Sequence, residues 1–252
     1  MLKICAIASG SNGNCYYVGN SESAILVDAG ISRKQILLRM EQKNLNPSIL
    51  KAIFISHEHH DHCCGAKVLS KKLGIPVYVT PNTFHNCWKP HRPANTVFFN
   101  AGDTVKIGDF FIHTFSKKHD AADPCSFRVE YKHTNVGVFT DIGESCENIK
   151  YQLNKCHILF LESNYDEEML WNGKYPEHLK ARIDSEYGHL SNNQAKKLLE
   201  NHHNPSLKLV ILSHISQENN TPELVLSVFE EFKNQFNIEI SNRHVAGEVF
   251  DF

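Results

Sequence analysis

The segment from Ser56 to His62 constrains this chain more than any other stretch, because side chains that bind metals crowd it. Four of them are preferred ligands of divalent metals: His57, His59, Asp61 and His62. The preceding stretch, Lys51–Ile55, is apolar and β-branched, which predicts a buried strand that ends where the cluster begins. Side-chain direction repeats every second residue in extended backbone, so His57 and His59 point the same way. A turn then brings Asp61 and His62 to a neighbouring point. The spacing predicts two adjacent metal positions, and the alternative is a histidine-rich surface loop.

Three more ligand-type residues follow apolar strands later in the chain. His119 follows a strand that ends at Phe115, Asp141 closes the run Val138–Thr140, and His214 comes directly after Leu209–Ser213. A fold gathers distant groups in this way, at one edge of a sheet. Taken alone, each of these residues is more often a surface or capping residue, but together they indicate one site. The two oxygens of an aspartate at position 141 could bridge two cations.

Apolar runs and turn residues predict the remaining elements. Strands are expected at residues 4–8, 15–18, 24–27, 77–79, 105–107, 110–115, 126–131, 136–140, 158–161 and 209–212. Helices are expected at residues 33–43, 64–73, 146–153, 192–202 and 222–236, and residues 85–93 are expected to form an irregular rim loop. A β-rich first part followed by alternating helices and strands predicts an α/β fold, with two sheets packed face to face and helices outside.

Length and composition predict one large globular domain over residues 1–252. The chain is 41% hydrophobic and 21% charged, and it contains neither a long linker nor an internal repeat. Its formal net charge of −2 gives no global attraction to a polyanion, so nucleic-acid binding would need a local patch and the charge of bound metals. No apolar segment approaches membrane-spanning length and the first residues do not form a signal peptide, so we expect a cytoplasmic protein with reduced cysteines.

The chain resembles the metallo-β-lactamase superfamily, because it carries residues that match the five motifs of that superfamily. They are Asp28 in Leu26–Gly30, the His-x-His-x-Asp-His run at His57–His62, His119, Asp141 and His214. The resemblance implies an αβ/βα four-layer sandwich and two divalent metal ions. It implies that His57, His59 and His119 hold one metal and that Asp61, His62 and His214 hold the other. Asp141 would bridge the two, and Asp28 would fix the histidine loop. Zinc, manganese and iron all suit such ligands.

Later segments resemble nucleases within that superfamily. Glu162–Asp166 and Gly188–Asn192 resemble elements of RNase Z-type nucleases, which implies that His189, assisted by Glu162, protonates the leaving oxygen. As a separate hypothesis for the mechanism, Asp61 orients the attacking hydroxide. From the residues alone, Ser191 is a helix N-cap and His189 only precedes it. Ser9–Cys15, Met169–Pro176 and Leu179–Asn192 resemble the YycJ/WalJ-like group of bacterial metallo-hydrolases. That resemblance implies a DNA exonuclease acting from 5′ ends.

Other interpretations stay open at this point. The same metals would serve an RNA-directed nuclease, or a small-molecule hydrolase acting on a thioester, lactone or cyclic phosphodiester. A metal-binding regulatory module without turnover is a further alternative. Around the site, Lys117 and Lys118 could hold a phosphate and Trp88, Trp171 or Tyr175 could stack a base, although solvated or packing roles are commoner for each. The Ser9–Asn14 turn could approach the site or be a plain hairpin turn.

Overall fold

Two seven-stranded sheets form the centre of the computed structural model, which describes residues 1–252. The first sheet contains β1 (Lys3–Ala8), β2 (Cys15–Gly19), β3 (Ala24–Val27), β4 (Leu50–Phe54), β5 (Val77–Val79), β6 (Thr96–Phe98) and β14 (Phe250–Asp251), in the order β14-β1-β2-β3-β4-β5-β6. The second contains β7 (Thr104–Ile107), β8 (Phe110–Ser116), β9 (Cys125–Tyr131), β10 (Thr134–Phe139), β11 (Ile158–Glu162), β12 (Leu209–Ser213) and β13 (Asn237–Ile240), in the order β13-β12-β11-β10-β9-β8-β7.

Nine α-helices accompany the sheets: α1 (Arg33–Gln42), α2 (His60–Cys63), α3 (Ala66–Leu73), α4 (Pro81–Asn86), α5 (Glu147–Leu153), α6 (Glu167–Asn172), α7 (Glu177–Ile183), α8 (Asn192–His202) and α9 (Pro222–Val228). Helices α1 and α3 pack on the outer face of the first sheet, and α5, α8 and α9 on the outer face of the second. None of the helices combines the length and the apolar character that crossing a membrane requires.

Three apolar cores lie between the four layers of the fold, which are helices, sheet, sheet and helices. They arise because successive side chains of a strand point to opposite faces of its sheet. In β4, Ala52 and Phe54 face the core between the sheets, whereas Ile53 packs with the helices outside. In β11, Phe160 faces the central core and Leu159 the outer one. A strand buried on both faces has no polar side, which is why these strands are continuous apolar runs. The fold is the α/β four-layer sandwich that the sequence predicts.

Two segments differ from their predicted structure. The helix predicted at residues 222–236 ends at Val228, is followed by a 3₁₀ turn at Glu230–Phe232, and gives way to β13. Its aromatic residues Phe229, Phe232 and Phe236 are buried against the second sheet, but the predicted helix was too long. The predicted rim loop at 85–93 is partly helical, because Thr80 caps α4 and Pro81 occupies its first turn.

The parallel pairing of strands determines where the candidate site lies. Strands β3 and β4 run parallel in the first sheet, and β10, β11 and β12 run parallel in the second. The carboxyl ends of parallel strands lie at the same sheet edge, and the two edges face each other across the sandwich. Five polar residues are released at these ends: Asp28, His57, Asp141, Glu162 and His214.

Candidate metal centre

Three imidazoles from two segments converge at the first predicted metal position. The Nε2 atom of His57 lies 3.1 Å from Nδ1 of His59, which lies 3.4 Å from Nε2 of His119. His57 follows β4, His59 caps the short helix α2, and His119 comes from the loop after β8. Their ring nitrogens all lie within 4.8 Å of one another. The structure therefore brings together the first predicted ligand set.

A second group of donor atoms lies beside the first. Nε2 of His62 is 3.2 Å from Oδ2 of Asp141 and 3.5 Å from Oδ2 of Asp61. Nε2 of His214 is 3.9 Å from the same Asp61 oxygen. Asp141 also approaches the first set, because its Oδ1 lies 4.0 Å from Nε2 of His119. This carboxylate thus lies between the two groups, where the resemblance placed a bridging residue.

Four of these imidazoles are oriented by a hydrogen bond at Nδ1. Nδ1 of His62 donates to the Asp28 carboxylate, and Nδ1 of His119 donates to the Gly188 carbonyl. Nδ1 of His214 donates to the Glu162 carboxylate, and Nδ1 of His57 is hydrogen-bonded to the Ser56 hydroxyl. An N–H at Nδ1 leaves Nε2 without a proton, and in each ring Nε2 lies near other donor atoms of the site. Metal-binding histidines are commonly held in this way.

Asp28 connects the histidine segment to the first sheet. Its carboxylate accepts hydrogen bonds from the Ser56 amide at 2.8 Å, the Ser56 hydroxyl at 2.8 Å and the His62 ring at 2.7 Å. Because the carboxylate is fully buried, its charge is satisfied only by these donors. Asp28 therefore fixes the loop that carries the ligands.

Three of the strand-end residues adopt the left-handed backbone region that non-glycine residues rarely occupy. The φ angles are 60° for Asp28, 54° for Asp141 and 55° for His214. Each such residue costs free energy, and in proteins this strain clusters at functional sites. The sharp turn directs the side chain away from the strand direction and into the space between the sheets.

Glu162 and His189 form a pair at the edge of the second group. Oε1 of Glu162 accepts from Nδ1 of His189 at 2.8 Å and from Nδ1 of His214 at 2.9 Å. Its Oε2 accepts from the amides of Ile142 and Leu190. Burial raises the pKa of this carboxyl group, but the two histidines outweigh it and lower the pKa to about 2. Glu162 is thus ionised, and the His189 side chain that it holds through Nδ1 is 21% exposed.

The imidazoles divide into two electrostatic classes. Burial lowers the pKa of His119 to about 3 and that of His57 well below its usual value. Burial also opposes the charged form of His62 and His214, but Asp141 and neighbouring carboxylates raise the pKa of His214 to about 10 and that of His62 well above its usual value. The carboxylate-rich half of the site therefore favours a positive charge.

The residues present fit a divalent metal. Two buried atoms at the centre, Oδ2 of Asp141 and Nε2 of His214, have no hydrogen-bond partner, and an unpaired buried polar atom is costly. Imidazole and carboxylate are the donors that zinc, manganese and iron accept. A cation near these atoms would satisfy both of them and would meet the negative field at His62 and His214. The site can therefore hold metal, and the sequence prediction of two ions stays a prediction.

The sequence prediction raised an approach of the Ser9–Asn14 turn to the site but gave no role to the individual side chains that shape it. Nδ2 of Asn14 lies 3.0 Å from Nε2 of His62 and 3.4 Å from Oδ2 of Asp61, so the Ser9–Asn14 turn reaches the site through a side chain. Ser9 accepts a hydrogen bond from the His214 amide at 2.8 Å. At Gly30, an added Cβ would lie 1.6 Å from the carbonyl oxygen of Asp61, so only glycine fits there. The Gly-Ser-Asn-Gly-Asn turn after β1 was the available signal.

The sequence predicted that lysines could contact a phosphate and that aromatic rings could contact a base. Lys117 is buried and donates to the Thr140 carbonyl at 2.7 Å, and Lys118 forms ion pairs with Glu144 and Glu186. Neither ammonium group is free for a phosphate. Trp88 and Trp171 are exposed and Tyr175 is half-buried, so a stacking role for these rings stays a prediction.

Comparison with known proteins assigns the family. A profile of the metallo-β-lactamase superfamily matches residues 8–214, which include every ligand candidate. The chain belongs to this superfamily. It is 35% identical over 237 residues to exodeoxyribonuclease YycJ of Bacillus anthracis, covering 91% of this chain and 90% of that protein. It is 33% identical over 232 residues to exodeoxyribonuclease WalJ of Streptococcus pneumoniae, covering 88% and 85%.

The fold of this superfamily member also matches solved structures. Zn²⁺-bound PqqB from Methylobacterium extorquens aligns over 99% of this chain and 100% of its own, with a TM-score of 0.75 and 12% identity. The resemblance to the superfamily and to its YycJ/WalJ-like group is confirmed, and the protein is a metallo-β-lactamase superfamily hydrolase.

Proposed function

We propose that this protein is a metal-dependent phosphodiesterase that degrades DNA from 5′ ends, built as a single hydrolase domain over residues 1–252. The observation that carries the proposal is the convergence of seven donor residues between the two sheets. A relative named an exodeoxyribonuclease matches this chain over about nine-tenths of the length of each protein. A cytoplasmic location is part of the proposal, since the substrate is DNA.

In this proposal the seven donors hold two divalent cations. His57, His59 and His119 would hold one, Asp61, His62 and His214 would hold the other, and Asp141, whose carboxylate lies near donor atoms of both sets, would serve the two. The chemistry that such cations supply when bound is Lewis-acid activation of water and neutralisation of phosphate charge. Zinc and manganese are the metals we expect, and iron suits the same donors.

The chain itself orients water and moves a proton. The Asp61 carboxylate accepts from the Asn14 amide nitrogen at 3.4 Å and is partly exposed, so it would accept a hydrogen bond from the attacking water. His189 would donate a proton from Nε2 to the departing oxygen of the phosphodiester. Glu162 accepts from Nδ1 of that ring at 2.8 Å, which holds its orientation.

The surroundings of the site favour a nucleic acid over a small apolar metabolite. The cavity that begins at Ser9 and Ile215, next to His214, is lined mainly by polar side chains and opens to solvent. Sites for small metabolites are more often closed and apolar. DNA is favoured over RNA because two relatives that each match about nine-tenths of this chain are named exodeoxyribonucleases.

The test is degradation of end-labelled polymers. The metal-free protein is supplied with Zn²⁺ or Mn²⁺ and incubated with single- and double-stranded DNA and RNA carrying a label at the 5′ or the 3′ end. We expect 5′-labelled DNA to release labelled mononucleotides or short fragments first. Asp141→Ala should reduce the rate by at least about 100-fold, because the shared carboxylate is lost.

Asp109→Ala is the matched control, since this exposed aspartate lies in the turn between β7 and β8, away from the site. It should retain wild-type activity. Wild-type protein that leaves all four polymers intact with either metal would contradict the proposal, as would full activity of Asp141→Ala. Loss of label first from the 3′ end would refute the proposed polarity alone.

A further inference from the structure

A polar cavity next to the metal centre has no assigned role. Ser9, which accepts from the His214 amide, and Ile215 and Ser216, which follow His214, form one wall. The loop after β13, with Asn242 and Arg243, forms the other. A ligand in this cavity would therefore lie beside the proposed site of phosphodiester cleavage.

Hydrogen-bond donors dominate the lining, and no aspartate or glutamate contributes to it. The Asn242 side-chain oxygen accepts from the amides of His244 and Val245, so its amide nitrogen remains available. The Ser216 hydroxyl oxygen accepts from the Asn219 amide, so its proton can be donated elsewhere. A cavity with free donors and without carboxylates is suited to an anion.

The cation in this cavity is Arg243, and no carboxylate forms an ion pair with it; Asp61 and Glu218 act on its charge only at longer range. Its guanidinium donates to Oδ1 of Asn12 at 2.7 Å and to the Ile215 carbonyl at 2.9 Å, and no acidic oxygen lies within 4.0 Å. An added Cβ at Gly10 would lie 3.2 Å from the guanidinium carbon, so the turn after β1 packs directly on the group. Two neutral acceptors thus hold a partly buried charge in place and leave its other N–H groups free.

We propose that Arg243, with Ser216 and Asn242, forms a subsite for a phosphate of the DNA strand next to the phosphate that is cleaved. Guanidinium groups bind phosphate through paired, charge-assisted hydrogen bonds, and a fixed guanidinium loses little conformational entropy on doing so. This subsite rests on the proposed nuclease function. It would set the register of the strand, since only a polymer with a second phosphate spans both positions.

The test combines a charge-removing substitution with a charge-removing substrate. KM and kcat are measured on 5′-labelled DNA with normal phosphates and on a series in which one phosphate near the 5′ end is a neutral methylphosphonate. For the wild type, one position in the series should raise KM about tenfold. Arg243→Gln should raise KM about tenfold on normal DNA, become insensitive to that same methylphosphonate, and reduce the slope of log KM against log salt concentration by about one.

Two further variants separate charge from structure. Arg243→Lys keeps the charge and should retain sensitivity to the methylphosphonate. Asn242→Asp keeps the acceptor for the His244 and Val245 amides but adds a negative charge, so it should also raise KM for DNA. Lys208→Gln removes an exposed charge at the opposite end of β12 and should behave as wild type. The Tm of each variant is measured to detect misfolding.

The outcomes are distinguishable. Wild-type cleavage of DNA with unchanged KM and methylphosphonate sensitivity in Arg243→Gln and Asn242→Asp would overturn the subsite and leave the nuclease proposal intact. Inhibition by inorganic phosphate that is lost in Arg243→Gln, with unchanged KM for DNA, would assign the cavity to a small phosphorylated metabolite and overturn the subsite as well. Wild-type protein that cleaves no nucleic acid would refute the proposed function and this subsite with it.

Discussion

At the scale of single residues, Glu162 joins the two halves of the proposed chemistry. One of its oxygens accepts from a proposed metal ligand, His214, and from the proposed proton donor, His189. We expect Glu162→Gln to reduce kcat by about 100-fold and metal affinity by about 10–100-fold, because an amide cannot accept all four hydrogen bonds that the carboxylate accepts. Metal titration followed by calorimetry, and single-turnover DNA cleavage at saturating metal, would measure the two effects separately.

The exposed Glu22 offers the matched control, since Glu22→Gln makes the same chemical change far from the site. It should alter neither quantity. Wild-type metal affinity combined with wild-type kcat in Glu162→Gln would show that this carboxylate serves packing only.

The left-handed backbone of Asp141 allows a different kind of test. Its φ of 54° is unfavourable for a residue with a Cβ by about 1–2 kcal/mol, whereas glycine tolerates it. Asp141→Gly and Asp141→Ala both remove the carboxylate, yet we expect the glycine variant to be more stable by about 1 kcal/mol in urea unfolding of the metal-free protein. The same pair at Asp109, which has no positive φ, should show no advantage for glycine. Equal stability of the two Asp141 variants would contradict the strain argument.

The ligand candidates were predictable from sequence, and the resemblance also pointed to two of their supports, Asp28 and Glu162, whereas the other supports were not predictable. His119, Asp141 and His214 could be found because each is a ligand-type residue released by an apolar strand. Two of the oxygens that orient the imidazoles gave no such signal: the Gly188 carbonyl belongs to the backbone, and Ser56 resembles any serine after a strand. Long-range contacts of this kind depend on the packing of the two sheets, which no local pattern encodes.

At the scale of elements, the start of α8 supports the segment that carries His189. Ser191 caps the helix through the Gln194 amide, Gln194 returns a bond to the Ser191 amide, and the Ser191 hydroxyl donates to Glu167. We expect Ser191→Ala to lower the free energy of unfolding by about 1–2 kcal/mol, because a helix cap and a buried hydrogen bond are lost together. Urea unfolding followed by circular dichroism measures this, and the exposed Ser206→Ala is the control. A change below about 0.3 kcal/mol would be inconsistent with the capping role.

Elements with strong periodicity were predicted well, and short edge elements were not. Strand β3 and helix α8 have the bounds expected from their apolar runs and caps. Strands β6, β13 and β14 were not predicted, because they lie at sheet edges, are short, and carry exposed residues at alternate or consecutive positions. Such strands form because a neighbouring strand offers hydrogen bonds, and this information is absent from their own sequence.

At the scale of the whole molecule, the candidate centre lies between the two halves of the sandwich. The histidine segment and Asp28 come from the first sheet, whereas His119, Asp141 and His214 come from the second. The central core already joins the sheets through apolar contacts. A cation bound by ligands from both sheets would add a second link between the sheets. This link would lie at the edge where several buried polar atoms would otherwise face one another.

Metal binding should therefore stabilise the whole fold. A ligand that binds only the native state at about 100 times its Kd adds about 2.7 kcal/mol, which corresponds to a rise in Tm of about 5–10 °C for a chain of this size. We expect Zn²⁺ or Mn²⁺ to produce this rise in differential scanning calorimetry of the EDTA-treated protein, and Mg²⁺ to produce a much smaller one because imidazole suits it poorly. Asp141→Ala should lose most of the rise, since it removes the carboxylate shared by both donor groups, whereas Asp109→Ala should keep it. Identical Tm values with EDTA and with Zn²⁺ and Mn²⁺ would mean that the seven residues do not act together as a metal centre.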